Sequence, residues 1–188
     1  MSSPTNRPLR GQSSLMALQP VDAAPFHRPA SGWLVWGTLV LMWMASLLPW
    51  RLWQPVPDVL LLVLSFWCLN ESGRVGLTTA FVFGLLMDVH DGGLLGLHAL
   101  NYVLVAYGTL RLLRRLQHFN PWVQALHMLP VFAAGAMASS LLGAWLNGEW
   151  TGWDWLWSAL ITGVLWPLAD VLLLLSQRRL DDGDVGPV

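Results

Sequence analysis

Lysine is absent from this chain of 188 residues, so all ten of its basic residues are arginines. Charged residues of both signs make up only 11% of the sequence, against roughly a quarter in a soluble globular domain. That scarcity excludes an ordinary water-facing surface. The arginines are scattered over separate segments, which excludes the one-faced basic footprint of a nucleic-acid binder. Cysteine occurs once, at Cys68 inside an apolar run; no internal disulfide can form, and the residue reads as a small buried hydrophobe. Phosphate-loop and hydrolase signatures are missing. So is any serine–histidine or paired-aspartate arrangement suited to intramembrane proteolysis. The sequence reads as non-enzymatic, with no cofactor.

What is abundant is apolar. Hydrophobic residues make up 55% of the chain and tryptophan occurs 13 times, a residue that favours membrane–water interfaces. These features predict an all-α, polytopic membrane helix bundle. Residues 1–31 are polar and rich in Ser, Pro and Arg, and read as a disordered tail. The first apolar segment, 33 to 50, is too long for a signal core and lacks an A-x-A-like cleavage site after it. Further apolar segments follow over 59–69, 75–87, 94–110, 122–146 and 155–175, with Pro167 as an expected kink. The second and third are short for a full crossing and could instead form a re-entrant hairpin; full spans are the favoured reading. Six spans occupy 32–176, and 177–188 forms a hydrophilic tail. Nine of the ten arginines then fall on the side of the two termini, which the positive-inside rule makes cytoplasmic; only Arg51 falls opposite. The other face holds Asp58, Asp88, Asp91, Glu149 and Asp154.

The stretch from Gly76 to Gly108 organises the rest: an apolar run, an acidic turn with two glycines, and a second apolar run. Gly76, Ala80, Gly84 and Asp88 recur every fourth residue, which on a helix makes a shallow groove where another backbone approaches closely. A second small-residue row is Gly135, Ser139 and Gly143. Ionisable residues at membrane depth are costly and are candidates for function. Asp88, His90, Asp91 and His98 cluster at the acidic turn, but their spacing matches no metal motif. Turn capping by Asp91 at Gly92-Gly93, with Asp88 bonded to nearby amides, is the simpler account. His98, Asn101 and Tyr102 share one helix face, suited to interhelical hydrogen bonds or to the wall of a small-ligand pocket. Asp170 is expected to pair with Arg74 or Arg111. His127 reads as a satisfied bundle histidine, and Arg111, Arg114 and Arg115 as a topology anchor able to meet anionic lipid headgroups.

The run PDVLLLVLSFW, then RVGLTTAFVFGLLMDVHDGGLLGLHALNYVLVAYG, then RLLRRLQHFNPWVQALHMLP resembles the bacterial rod shape-determining MreD family. The similarity covers about residues 57–130. It is densest over Gly84-Leu-Leu-Met-Asp88 and Leu95-Gly96-Leu97-His98-Ala99-Leu100. The resemblance implies a multi-pass protein of the bacterial inner membrane, without enzymatic activity, in the machinery that inserts peptidoglycan along the side wall. Its implied partners are an MreC-like single-span protein, the MreB filament, RodA and the elongation-specific penicillin-binding transpeptidase. Residues expected to contact a partner are Gly76, Ala80, Gly84, Asp88, Gly92, Gly93, Gly96 and His98. The family's architecture also resembles the substrate-binding membrane subunit of energy-coupling vitamin transporters. That supplies a rival reading, in which the face of His98, Asn101 and Tyr102 lines a pocket.

Overall fold

The computed structural model describes residues 30–48, 56–150 and 152–183, with side chains described as far as Ser176. Of the tail expected over 1–31, residues 1–29 lie outside the described residues, as does the exceptional Arg51, whereas Ala30 and Ser31 are hydrogen-bonded into the bundle. Among the described residues there are seven helices and no strands. The sequence punctuates them. α1 (Gly32–Ser46) begins at Ser31, whose Oγ accepts the Leu34 amide. α2 (Val59–Asn70) is capped by Asp58, whose carboxylate accepts the Leu61 amide at 3.0 Å. α3 (Leu77–Asp91) ends at Gly92, which adopts φ 64°, the left-handed conformation that closes a helix. α4 (Leu97–Leu116) starts from Gly96 at φ 106°. α5 (Pro121–Asn147) opens on a proline, where the missing N–H costs no helix bond. α6 (Asp154–Val164) and α7 (Trp166–Gly183) follow.

The sixth apolar segment therefore exists as two helices bent by 42°. The break falls at Leu165, and Pro167 sits in the first turn of α7, where it cannot donate a hydrogen bond back into α6. The expected kink is thus a full break. α7 also runs on to Gly183, so helix extends into the segment read as a hydrophilic tail.

α2 is the centre of the bundle. Every residue from Leu60 to Leu69 is buried, against α1, α4, α6 and α7. A helix that is apolar all round has no preferred outer face, and here every face has a neighbour. α1 is tied to it by Trp67, whose indole N–H donates to Thr38 Oγ1 at 2.9 Å. α4 lies between α3 and α5, and α5 carries α6 and α7. At the arginine-rich end, the Ala30 backbone is held twice: its N–H donates to Glu71 and its carbonyl accepts from Arg74, each at 2.6 Å.

The outside is as apolar as the inside. Trp33 (91% exposed), Trp145 (78%) and Leu126 (70%) face outward, a surface suited to lipid. Among the described residues α5 is long and apolar enough to cross a membrane, and the bent α6–α7 pair meets the same test if taken as one span. α1 and α2, of 15 and 12 residues, are shorter. The fold is that of a helical membrane protein.

Candidate functional site: a capped elbow and a polar cleft

α3 and α4 meet in a tight elbow whose pivot is Asp88. A carboxylate near the C-terminus of α3 faces that helix's own negative pole, which is unfavourable. The structure resolves this by aiming it at the positive pole of α4. Gly96 is the N-cap of α4 and has no side chain to serve its first amides. Asp88 does so in its place: Oδ2 accepts from Gly96 N at 2.8 Å and Ala99 N at 3.2 Å. Oδ1 accepts from His98 N at 2.8 Å and lies 3.1 Å from His98 Nδ1. Asp88 is 2% exposed. The other imidazole nitrogen of His98 is 3.4 Å from Asp91 Oδ2, so the ring bridges the two acids. Among the described residues no group of three or more His, Cys, Asp or Glu side chains is placed to hold a metal ion.

The small-residue rows seat α4 from both sides. A Cβ on Gly84 would run into the backbone of α4, 2.7 Å from Ala99 N and 2.9 Å from His98 C. Only glycine permits so close an approach. On the opposite side, a Cβ on Gly135 would meet Asn101 and Val105, and one on Gly143 would meet Leu97 at 3.3 Å. Leu97, Asn101 and Val105 are one stripe of α4 at four-residue spacing, and they lie in the second small-residue row. The expectation that Ala80, Gly84 and Asp88 form a groove open to a partner is therefore corrected. Ala80 and Asp88 are buried, and at Gly84 the groove is filled by the chain's own α4. Gly76 is half-buried with open space beside it, Gly92 and Gly93 are exposed, and Gly96 and His98 are half-buried.

A second feature lies at the same end of the bundle. The N-termini of α2, α4 and α6 and the C-terminus of α5 enclose a cavity of about 350 Å³. Asp58 holds the wall together: its carboxylate accepts from Tyr102 Oη at 2.9 Å, and its N–H donates to Thr162 Oγ1 at 2.9 Å. Ser158 Oγ donates to the Val56 carbonyl at 2.6 Å. Asn101, Ser139, Ser140, Glu149, Asp154 and Trp155 also line the space. Asn101 Oδ1 and Trp155 Nε1 are buried and have no hydrogen-bond partner. The His98, Asn101 and Tyr102 face thus divides its work. Tyr102 and His98 make interhelical bonds, and Asn101 borders the cavity with its Oδ1 packed against Gly135.

A family model described as rod shape-determining protein MreD matches residues 28–176. The chain belongs to the MreD family. A curated relative, "Rod shape-determining protein MreD" of Haemophilus influenzae, is 26% identical over 152 residues, covering 78% of this chain and 94% of the relative. No solved structure matches. Membership places the chain among rod shape-determining proteins of the bacterial inner membrane.

Other residues singled out in this MreD-family sequence have ordinary roles. His127 Nδ1 lies 2.8 Å from the Val123 carbonyl and its ring stacks on Phe119, so it is satisfied locally. Arg111 donates to Tyr107 Oη at 2.9 Å and lies over that ring, and Arg74 is engaged by Ala30. Among the described residues neither arginine forms an ion pair with Asp170, contrary to expectation; Asp170 is buried. Sequence reasoning passed over Gln124, which donates to the Leu116 and Phe119 carbonyls and accepts from Trp166 Nε1. A lone glutamine inside the fifth apolar segment was the available signal.

Proposed function

We propose that the chain is a non-enzymatic, multi-pass scaffold of the cell-elongation machinery. It would dock an MreC-like single-span protein and link it to MreB, RodA and the elongation transpeptidase. The family match over residues 28–176 carries this reading. The fold supports it: the polar residues at the α3–α4 elbow cap a helix and fix an angle rather than assemble a nucleophile and base. In this reading all six apolar segments cross the bilayer, the termini are cytoplasmic, and the elbow lies on the outer side. With its small-residue face occupied by α4, α3 offers a partner its exposed flank. There Phe81 is 51% exposed, Val82 49% and Val89 65%, continuous with exposed Gly92 and Gly93 at the elbow. A single transmembrane helix fits such a strip by van der Waals packing.

The test is a mild-detergent pull-down of the tagged protein from its native membrane, with partners identified by mass spectrometry. An MreC-like single-span protein should be recovered, and lost with Phe81→Ala plus Val82→Ala, while folding is unchanged. Recovery of ABC-type ATPases with a coupling membrane subunit would replace the scaffold reading with a vitamin-transport one. The polar cavity is the one observation that favours that second reading.

A further inference from the structure

We infer that the groove between α4 and α5 on the outside of the bundle is a binding site for an anionic phospholipid, with an acyl chain in the groove and the phosphate at the arginines that end α4. The groove measures about 680 Å³, and its walls include Leu104, Gly108 and Leu112 from α4 and His127, Pro130 and Ala134 from α5. All but His127 are apolar. A Cβ on Gly108 would lie 2.7 Å from Val131 Cγ1, so the two helices touch along the groove and give it a floor. Depth then selects the occupant. The stripe of α4 that carries Leu104 and Gly108 continues to Arg111 and Arg115. From Arg115 to Leu104, at 1.5 Å per residue, is about 16 Å, which is about one leaflet of a hydrocarbon core of roughly 30 Å. A transmembrane helix seated here would be gripped over only half its length. A lipid of one leaflet has its head at one end of that distance and its chain along the rest. Trp122, 75% exposed at the start of α5, marks the headgroup level.

Charge selects the head. Arg111, Arg114 and Arg115 are all exposed at this end of α4. No acidic residue occurs anywhere from 92 to 148, the stretch that makes both helices, so each wall of the groove contributes only neutral or basic groups. Arg111 is held in place: its Nε donates to Tyr107 Oη at 2.9 Å, and its guanidinium lies 5.0 Å from the centroid of that ring. Those contacts use one edge and one face of the guanidinium. They leave its outer N–H groups, the pair whose geometry matches two oxygens of a phosphate. A free phosphate would answer the arginines and leave the groove unfilled, and a zwitterionic lipid would bring a cation beside three others. An anionic diacyl lipid satisfies both halves of the site.

The inference goes beyond the scaffold reading and does not rest on it, because it is read on the purified full chain without partners. The experiment is native mass spectrometry of that chain in a non-ionic detergent, titrated with dioleoyl phosphatidylglycerol, dioleoyl phosphatidylcholine or glycerol 3-phosphate. Phosphatidylglycerol should be retained saturably, with about tenfold preference over phosphatidylcholine, and glycerol 3-phosphate should not be retained. Arg111→Gln with Arg115→Gln should weaken retention about thirtyfold, the scale of two arginines near an anionic surface. Ala134→Trp fills the exposed groove, leaves the arginines in place and should weaken retention at least as much. Met137→Trp, exposed on α5 outside the groove, should leave it unchanged. All three variants should unfold at the wild-type temperature in lipid-free detergent, since each alters only exposed positions. Equal retention of the two lipids, retention of glycerol 3-phosphate, an unchanged affinity in the arginine pair, or wild-type binding by Ala134→Trp (the mark of a general attraction to charged headgroups) would each overturn the assignment.

Discussion

Removing the Asp88 carboxylate should loosen the α3–α4 elbow more than any other single side-chain change in it. Asp88→Ala leaves three amides without an acceptor, those of half-buried Gly96 and His98 and of buried Ala99. Each unsatisfied buried donor costs about 1–3 kcal/mol, and the exposed turn at Gly92 and Gly93 lets water recover part of it, so a loss of about 3–5 kcal/mol is expected. Asp88→Asn is informative because each carboxylate oxygen serves two groups. Oδ2 takes Gly96 and Ala99, and Oδ1 takes the His98 amide and ring. An amide nitrogen in either place turns donors against a donor, so the asparagine should cost about half as much as alanine. His98→Ala removes the ring's contacts to Asp88 and Asp91 but leaves the three amides capped, and should cost about 1 kcal/mol. The assay is thermal and denaturant unfolding in detergent, followed by tryptophan fluorescence and compared across the three variants. Equal stability of Asp88→Ala and wild type, or a His98→Ala loss as large, would refute the capping argument.

Other positions give independent checks. Gly84→Ala drives a methyl into the backbone of Ala99 and should cost about 1–3 kcal/mol, whereas Gly76→Ala meets open space and should stay within about 0.5 kcal/mol. The same unfolding assay separates them. Gly96→Ala places a side chain at φ 106° and should cost about 1–2 kcal/mol, with the loss confined to α4 in amide hydrogen exchange. Tyr102→Phe and Thr162→Val each remove one bond to Asp58 and should cost about 1 kcal/mol singly. Because both act on the same residue, the pair should be non-additive in a double-mutant cycle.

The sequence revealed that something must pack closely on the Gly76–Asp88 row, and that Asp88 needs amides to answer it. It did not reveal the occupant. Four-residue spacing describes one surface of one helix, and an intramolecular helix fits that surface as well as a partner's does. The centrality of α2 was also hidden, because VLLLVLSFWCL is apolar on every side and hydropathy does not separate a helix facing lipid from one facing protein. The cleft was illegible for a different reason. Its wall is closed by Asp58 with Thr162 and Val56 with Ser158, residues more than a hundred positions apart. No local pattern carries such a pairing. Local signals came nearer: Pro167 marked a kink that proved to be a full break, and the two glycines after Asp91 marked the turn that Gly92 opens.

If the MreD-family chain acts through the shape that Asp88 fixes at the α3–α4 elbow, losing that carboxylate costs the cell its rod form. The most direct measurement is complementation in a rod-shaped host lacking its own copy, with membrane levels of each variant checked by immunoblot. Wild type and Gly76→Ala should restore rods, while Asp88→Ala, expressed to at least half the wild-type level (about that much sufficing for a scaffold), should leave cells rounded. Normal rods supported by Asp88→Ala at the wild-type level would contradict the account.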